Sequence, residues 1–134
     1  MSASAVDLLA SFEAGTLDPA AFHHDDHIRL AWAHLQRYPL PDAIQRVCAG
    51  LRQLARCAGK PDRYHETVTW AFLVLINERM ELGGRELAWE AFERRNPDLL
   101  RGSPSLLATS YYAADVLGSD LARRVFVLPR GRPE

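Results

Sequence analysis

The sequence predicts an all-α fold, a single compact helical bundle, on three observations. Apolar residues recur at three- and four-residue spacing in one segment after another. Tight proline and glycine turns separate those segments. No hairpin dipeptide stands between alternating runs, as a sheet would require. The expected bundle has four to five main helices, short C-terminal helices and an irregular tail from about residue 127, all in one domain over residues 1–134.

The first helix is expected over residues 5–14, where Ala5, Leu8, Leu9 and Phe12 share a face and Gly15 ends it. Asp18 followed by Pro19 reads as a cap and a first-turn proline, starting a second helix that runs to residue 37, before Pro39 and Pro41. Over residues 41–57, Ile44, Val47, Cys48, Leu51, Leu54 and Ala55 make a buried stripe, stopped by Gly59 and Pro61. Asp62 can cap the fourth helix, whose nearly continuous apolar run, YHETVTWAFLVLINERMEL, marks it as the central one. Its length without a breaker rules against a strand. A fifth helix is expected over residues 86–94, then short helices near 107–111 and from about Ser119.

A chain of 134 residues can bury a core without staples. With 48% hydrophobic and 25% charged residues, it has a globular rather than a disordered composition. Sixteen basic residues against seventeen acidic ones leave no excess charge for nucleic-acid phosphates or anionic lipid, so neither nucleic acid nor membrane is an expected partner. Cys48 and Cys57 fall on opposite sides of one helix and cannot readily bridge. No signal peptide or long apolar run is visible. The expected location is therefore cytoplasmic.

The chemistry is expected from the histidines. In FHHDDHIRLAWAHL, His24 and His27 are three residues apart, a spacing that puts two imidazoles on one helix face. His23 lies further round and His34 too far along the axis. His65, in YHET at the start of the fourth helix, projects into that helix's core stripe. If the second and fourth helices are neighbours, His24, His27 and His65 form a three-imidazole site with an open position for water or substrate. One transition metal ion would suit it, and zinc, copper, iron and nickel are not distinguishable from these ligands. Glu66, adjoining His65 but directed about 100° away, is the candidate catalytic base or supporting partner.

Two other readings stand beside this one. In the first, the histidines are structural and the chain is a metal-free accessory module docking on a partner protein or on itself. In the second, His65 and Glu66 act as acid and base without metal on a small-molecule substrate. A cleft reaching the histidines supports a site; a closed cluster beside an apolar patch supports docking. Of the aromatics, Trp70 and Trp89 read as core, as does the Tyr111-Tyr112 pair. Thr67 and Thr69 are expected to bond back to the preceding helical turn. Arg123, Arg124, Arg130 and Arg132 read as a solvated basic tail. No phosphate loop, nucleophile elbow, C-x-x-C or zinc-protease signature is present.

The segments FHHDDHIRLAWAHL, YHETVTWAFLVLI and SDLARRVFVLP resemble a group of uncharacterised small bacterial helical proteins, over residues 22–129. The resemblance implies a standalone helical unit and carries with it no activity, cofactor or catalytic residue.

Overall fold

The computed structural model describes residues 5–129. Nine helices and no strand occur among them. α1 spans Ala5–Ala14 and ends at Gly15, whose φ of 72° lies where a side chain is disfavoured. Asp18 caps only a single 3-10 turn, Pro19–Ala21, accepting from the Ala20 N–H at 3.0 Å. The chain then runs extended through Phe22 and His23, and α2 occupies His24–Arg37. The expected second helix therefore starts late. Asp26 explains the restart, because its carboxylate accepts the His23 N–H at 3.0 Å, and with Asp25 it places negative charge in the first turn.

α3 is Leu40–Cys57, and a 3-10 turn, Pro61–Arg63, follows it. α4 is Glu66–Gly83. Its cap is His65 rather than Asp62, since the His65 Nδ1 accepts the Val68 N–H at 3.1 Å. His65 is consequently an extended residue outside the helix, not a member of its apolar stripe. α5 (Trp89–Arg95), α6 (Pro97–Leu100), α7 (Leu106–Ser110), α8 (Ala114–Leu117) and α9 (Asp120–Arg124) complete the chain; α6 and α8 carried no signal in the sequence.

α2, α3 and α4 pack against one another, so the second and fourth helices are neighbours. The central core draws Ile28, Ala31 and Leu35 from α2, Ala43 and Val47 from α3, and Phe72, Leu73, Ile76 and Met80 from α4. Trp89 and Phe92 close it beside Trp32. A smaller cluster of Leu8, Leu9, Phe12 and Leu30 lies under α1. There Phe12 covers Gly50 so closely that a Cβ at that position would fall 2.1 Å from the ring.

Two polar latches hold the peripheral pieces. Arg79 donates to both oxygens of Asp98, at 3.1 and 2.8 Å, and to Asn96 at 2.8 Å, tying α6 to α4. Thr67, wholly buried, does not bond back along its helix as expected of it. It donates to the Val125 carbonyl at 2.9 Å and accepts the Val127 N–H at 3.1 Å. Tyr112 donates to the Val127 carbonyl at 2.8 Å, so the irregular tail is strapped to the bundle. Thr69 makes the expected backward bond, to the His65 carbonyl at 2.8 Å. No helix of the described residues is long and apolar enough to cross a membrane.

Candidate functional site

A cleft of about 280 Å³ opens where the start of α2 meets α3 and α4. Phe22, Leu51, Val68 and Phe72 form apolar walls, and His24 and His27 line it. Past His27 it adjoins a second hollow of about 190 Å³, bordered by Leu54, Ala58, Arg63, Tyr64 and His65. The histidine-bearing segments thus border two adjoining hollows, with His24 on the first, His65 on the second and His27 on both.

Each histidine is placed differently. His24 stands in the first turn of α2, with its ring edge-on to Phe72 at 5.3 Å. Its Nε2 lies 3.0 Å from the Leu99 carbonyl, so that nitrogen carries the proton and donates, leaving Nδ1 uncommitted. α6 supplies that carbonyl, and the Arg79 latch holds α6 in position. The guanidinium lowers the pKa of Asp98, keeping the carboxylate ionised.

His27 packs its ring on Phe22 with centroids 4.3 Å apart. The residue retains solvent-exposed surface, because it stands at the mouth of a concavity rather than in the interior. The apolar walls beside the ring withdraw part of the water that would hydrate a cation there. Its pKa is accordingly lowered to about 4, first by this desolvation and then by the proximity of His24, against a smaller opposing pull from Asp26. At neutral pH the ring is uncharged. Among the described residues, neither of its ring nitrogens has a hydrogen-bond partner.

His65 has both nitrogens occupied. Nδ1 caps α4, and Nε2 donates to the Leu117 carbonyl at 2.8 Å. Burial lowers its pKa despite the carbonyl that it faces, and Arg123 lowers it further. The expected three-imidazole set is thus not assembled in this conformation. Among the described residues, the one group of three potential ligands within coordinating reach is His23, Asp25 and Asp26, on the exposed start of α2. Asp26 is already engaged there as a cap.

Glu66, the expected base, turns to the other side of α4. Its Oε1 accepts from Arg52 at 2.9 Å and from the Tyr64 hydroxyl, beside buried Cys48. Burial raises the Tyr64 and Cys48 pKa values, so both groups stay protonated. Glu66 does not line the histidine cleft; it borders a separate groove with Cys48, Arg52 and Trp70. Trp89 is core as expected, whereas half-buried Trp70 stacks on Phe126 at 5.4 Å.

The apolar walls were visible in the sequence, Leu51 as a stripe residue of the third helix and Val68 and Phe72 within the apolar run of the fourth. The carbonyls of Leu99 and Leu117 were not, since every residue carries one and only folding selects two of them. In comparisons with protein-family models, with curated proteins and with solved structures, nothing matches this chain, and the site is read from its own geometry.

Proposed function

We propose that the chain is a small-molecule-binding protein, that its site is the cleft between α2, α3 and α4, and that His27 is the group that recognises the ligand. The observation carrying this reading is an uncharged imidazole with unpartnered nitrogens set among Phe22, Leu51 and Val68. Exposed at the cleft mouth, neutral imidazole offers a ligand one donor and one acceptor. A ligand with an apolar body and a hydroxyl matches both features. The proposed setting is the cytoplasm, supported by two cysteines that are free among the described residues.

Straight-chain alcohols from propanol to hexanol test the reading, titrated while side-chain NMR signals of His27, Val68 and Phe72 are followed. Each added methylene that enters the cleft should contribute about 0.8 kcal/mol, roughly a fourfold gain in affinity. Val68→Trp, which fills the cleft, should abolish the response. Shifts scattered over the surface, or an affinity that ignores chain length, would contradict the proposal.

One observation favours a second reading, in which the cleft holds a transition metal and turns over substrate at an open coordination position. His24 donates from Nε2 to a backbone carbonyl, as metal-binding histidines do through the nitrogen that does not ligate. Nδ1 of His24 and a nitrogen of His27 are then the ligands. His65 would join them only by giving up its cap and the Leu117 carbonyl. Elemental analysis of untagged protein tests this: the reading expects near-stoichiometric metal, lost in His24→Ala and retained in His65→Asn. Metal retained in His24→Ala would sink it.

A further inference from the structure

A basin of about 860 Å³ lies beside the hollow that adjoins the histidine cleft. Arg52 and Arg56 of α3, Lys60 and Arg63 of the following turn, and Arg123 and Arg124 of α9 all face it. Asp62 and Asp120 are the two acidic residues of its lining. Glu66 neutralises Arg52, and Asp120 neutralises Arg124 at 2.8 Å. Arg123 donates to the Asp62 carbonyl at 3.0 Å, which fixes α9 against the turn without neutralising a charge. Lys60 and Arg63 have no side-chain partner among the described residues. A chain of net charge −1 therefore gathers an unbalanced positive field in one hollow, from segments about sixty residues apart in sequence.

The sequence did not reveal this convergence, because Arg123 and Arg124 read as part of a solvated tail. The carbonyl end of α3 attracts cations on its own account, which explains Arg56 and Lys60 but not Arg63 or Arg123. Arg63 and Tyr64 border both the basin and the hollow next to His27 and His65. The hollow thus joins the two, sharing Arg63 and Tyr64 with the basic basin and Phe22, His27 and Val68 with the apolar cleft.

We propose that the basin is a phosphate-recognition site continuous with the histidine cleft, so that the ligand is a soluble phosphate monoester with an apolar body. This rests on the cleft reading above and adds to it the class of head group. Guanidinium groups match phosphate oxygens in paired, charge-assisted hydrogen bonds, and unpaired Arg63 is the one best placed to address a ligand seated in both hollows. The apolar body then lies between Phe22 and Val68, within reach of His27.

Three matched probes separate the parts: inorganic phosphate, 1-hexanol and hexyl phosphate, each titrated by NMR at low ionic strength. Phosphate is expected to move basin signals alone, hexanol cleft signals alone, and hexyl phosphate both, at least tenfold more tightly than either fragment. Lys60→Glu with Arg63→Glu should abolish phosphate binding and bring hexyl phosphate down to the affinity of hexanol. Both positions are exposed, and an unchanged melting temperature would confirm that the variant is folded. If phosphate leaves the basin unmoved, or the charge reversals change nothing, the basin proposal falls while the cleft reading survives. If hexanol fails and phosphate binds, the cleft reading falls and takes the joint site with it. Co-sedimentation with phosphatidic-acid vesicles, lost in the charge-reversal variant, would overturn the soluble monoester in favour of a lipid surface.

Discussion

His65 shows how one side chain can be claimed by the backbone before any ligand reaches it. Its Nδ1 takes the Val68 N–H and its Nε2 gives a proton to the Leu117 carbonyl, so a single tautomer is fixed by two structural bonds. Replacing it by alanine removes a helix cap, costing about 1 kcal/mol, and a partly buried hydrogen bond of similar worth. We expect His65→Ala to lower unfolding free energy by about 1–3 kcal/mol in denaturant titrations, with His65→Asn recovering the cap share. An alanine variant as stable as the parent would mean that the ring is free for other work. The sequence put His65 in the right neighbourhood but in the wrong role. A histidine just before Glu-Thr-Val looks the same whether it is the first helical residue or the cap, and the two assignments differ by about 100° in where the ring points. The same one-residue ambiguity affects Glu66, whose carboxylate meets Arg52 and Tyr64 instead of the cleft.

At the scale of elements, the helices that hold themselves together by amphipathic stripes were legible. α1 and α3 stand within a residue of where their apolar spacing and their terminators Gly15 and Gly59 put them. α2 was mislaid at its start because Asp18-Pro19 and His23-Asp26 are both good caps, and a 3-10 turn with an extended break between them uses both. α6 and α8 are single turns too short to show a period, held by tertiary bonds such as the Arg79–Asp98 pair. One contact joins elements in a way that no periodicity announces, the Phe12 ring seated on Gly50. In an exposed helix interior, Gly→Ala would stabilise by up to about 1 kcal/mol. Here the Cβ would lie 2.1 Å from the ring, so Gly50→Ala should destabilise by about 1–3 kcal/mol and raise amide exchange in α1. A stabilised variant with α1 equally protected would show that Phe12 does not hold α1 to α3.

Over the whole molecule, three imidazoles are kept neutral by their surroundings, and this links the cleft to stability. His27 has its pKa lowered to about 4, while burial lowers those of His34 and His65 as well. Each binds its proton more readily in the unfolded chain, where the ordinary value is near 6.5. Their contribution is therefore complete above about pH 6.5 and is lost as pH falls from there toward 4. The Asp98–Arg79 pair adds a further loss only below the ordinary carboxylate range. Melting temperature should accordingly be level above neutrality and fall through the weakly acidic range, and a flat profile down to pH 4.5 would contradict this assignment.

The same property gives the most direct test of the central claim, that His27 stands neutral and unpartnered at the mouth of a ligand cleft. Long-range ¹H–¹⁵N spectra of the imidazoles, recorded across pH with and without saturating 1-hexanol, report protonation and hydrogen bonding at each ring nitrogen. The expected result is a His27 midpoint near 4 in the free protein and, at pH 7, a shift of its unprotonated nitrogen when the alcohol is added. A midpoint near 6.5 with no response to the alcohol would contradict it, leaving His27 as a surface histidine and the cleft as a feature of packing alone.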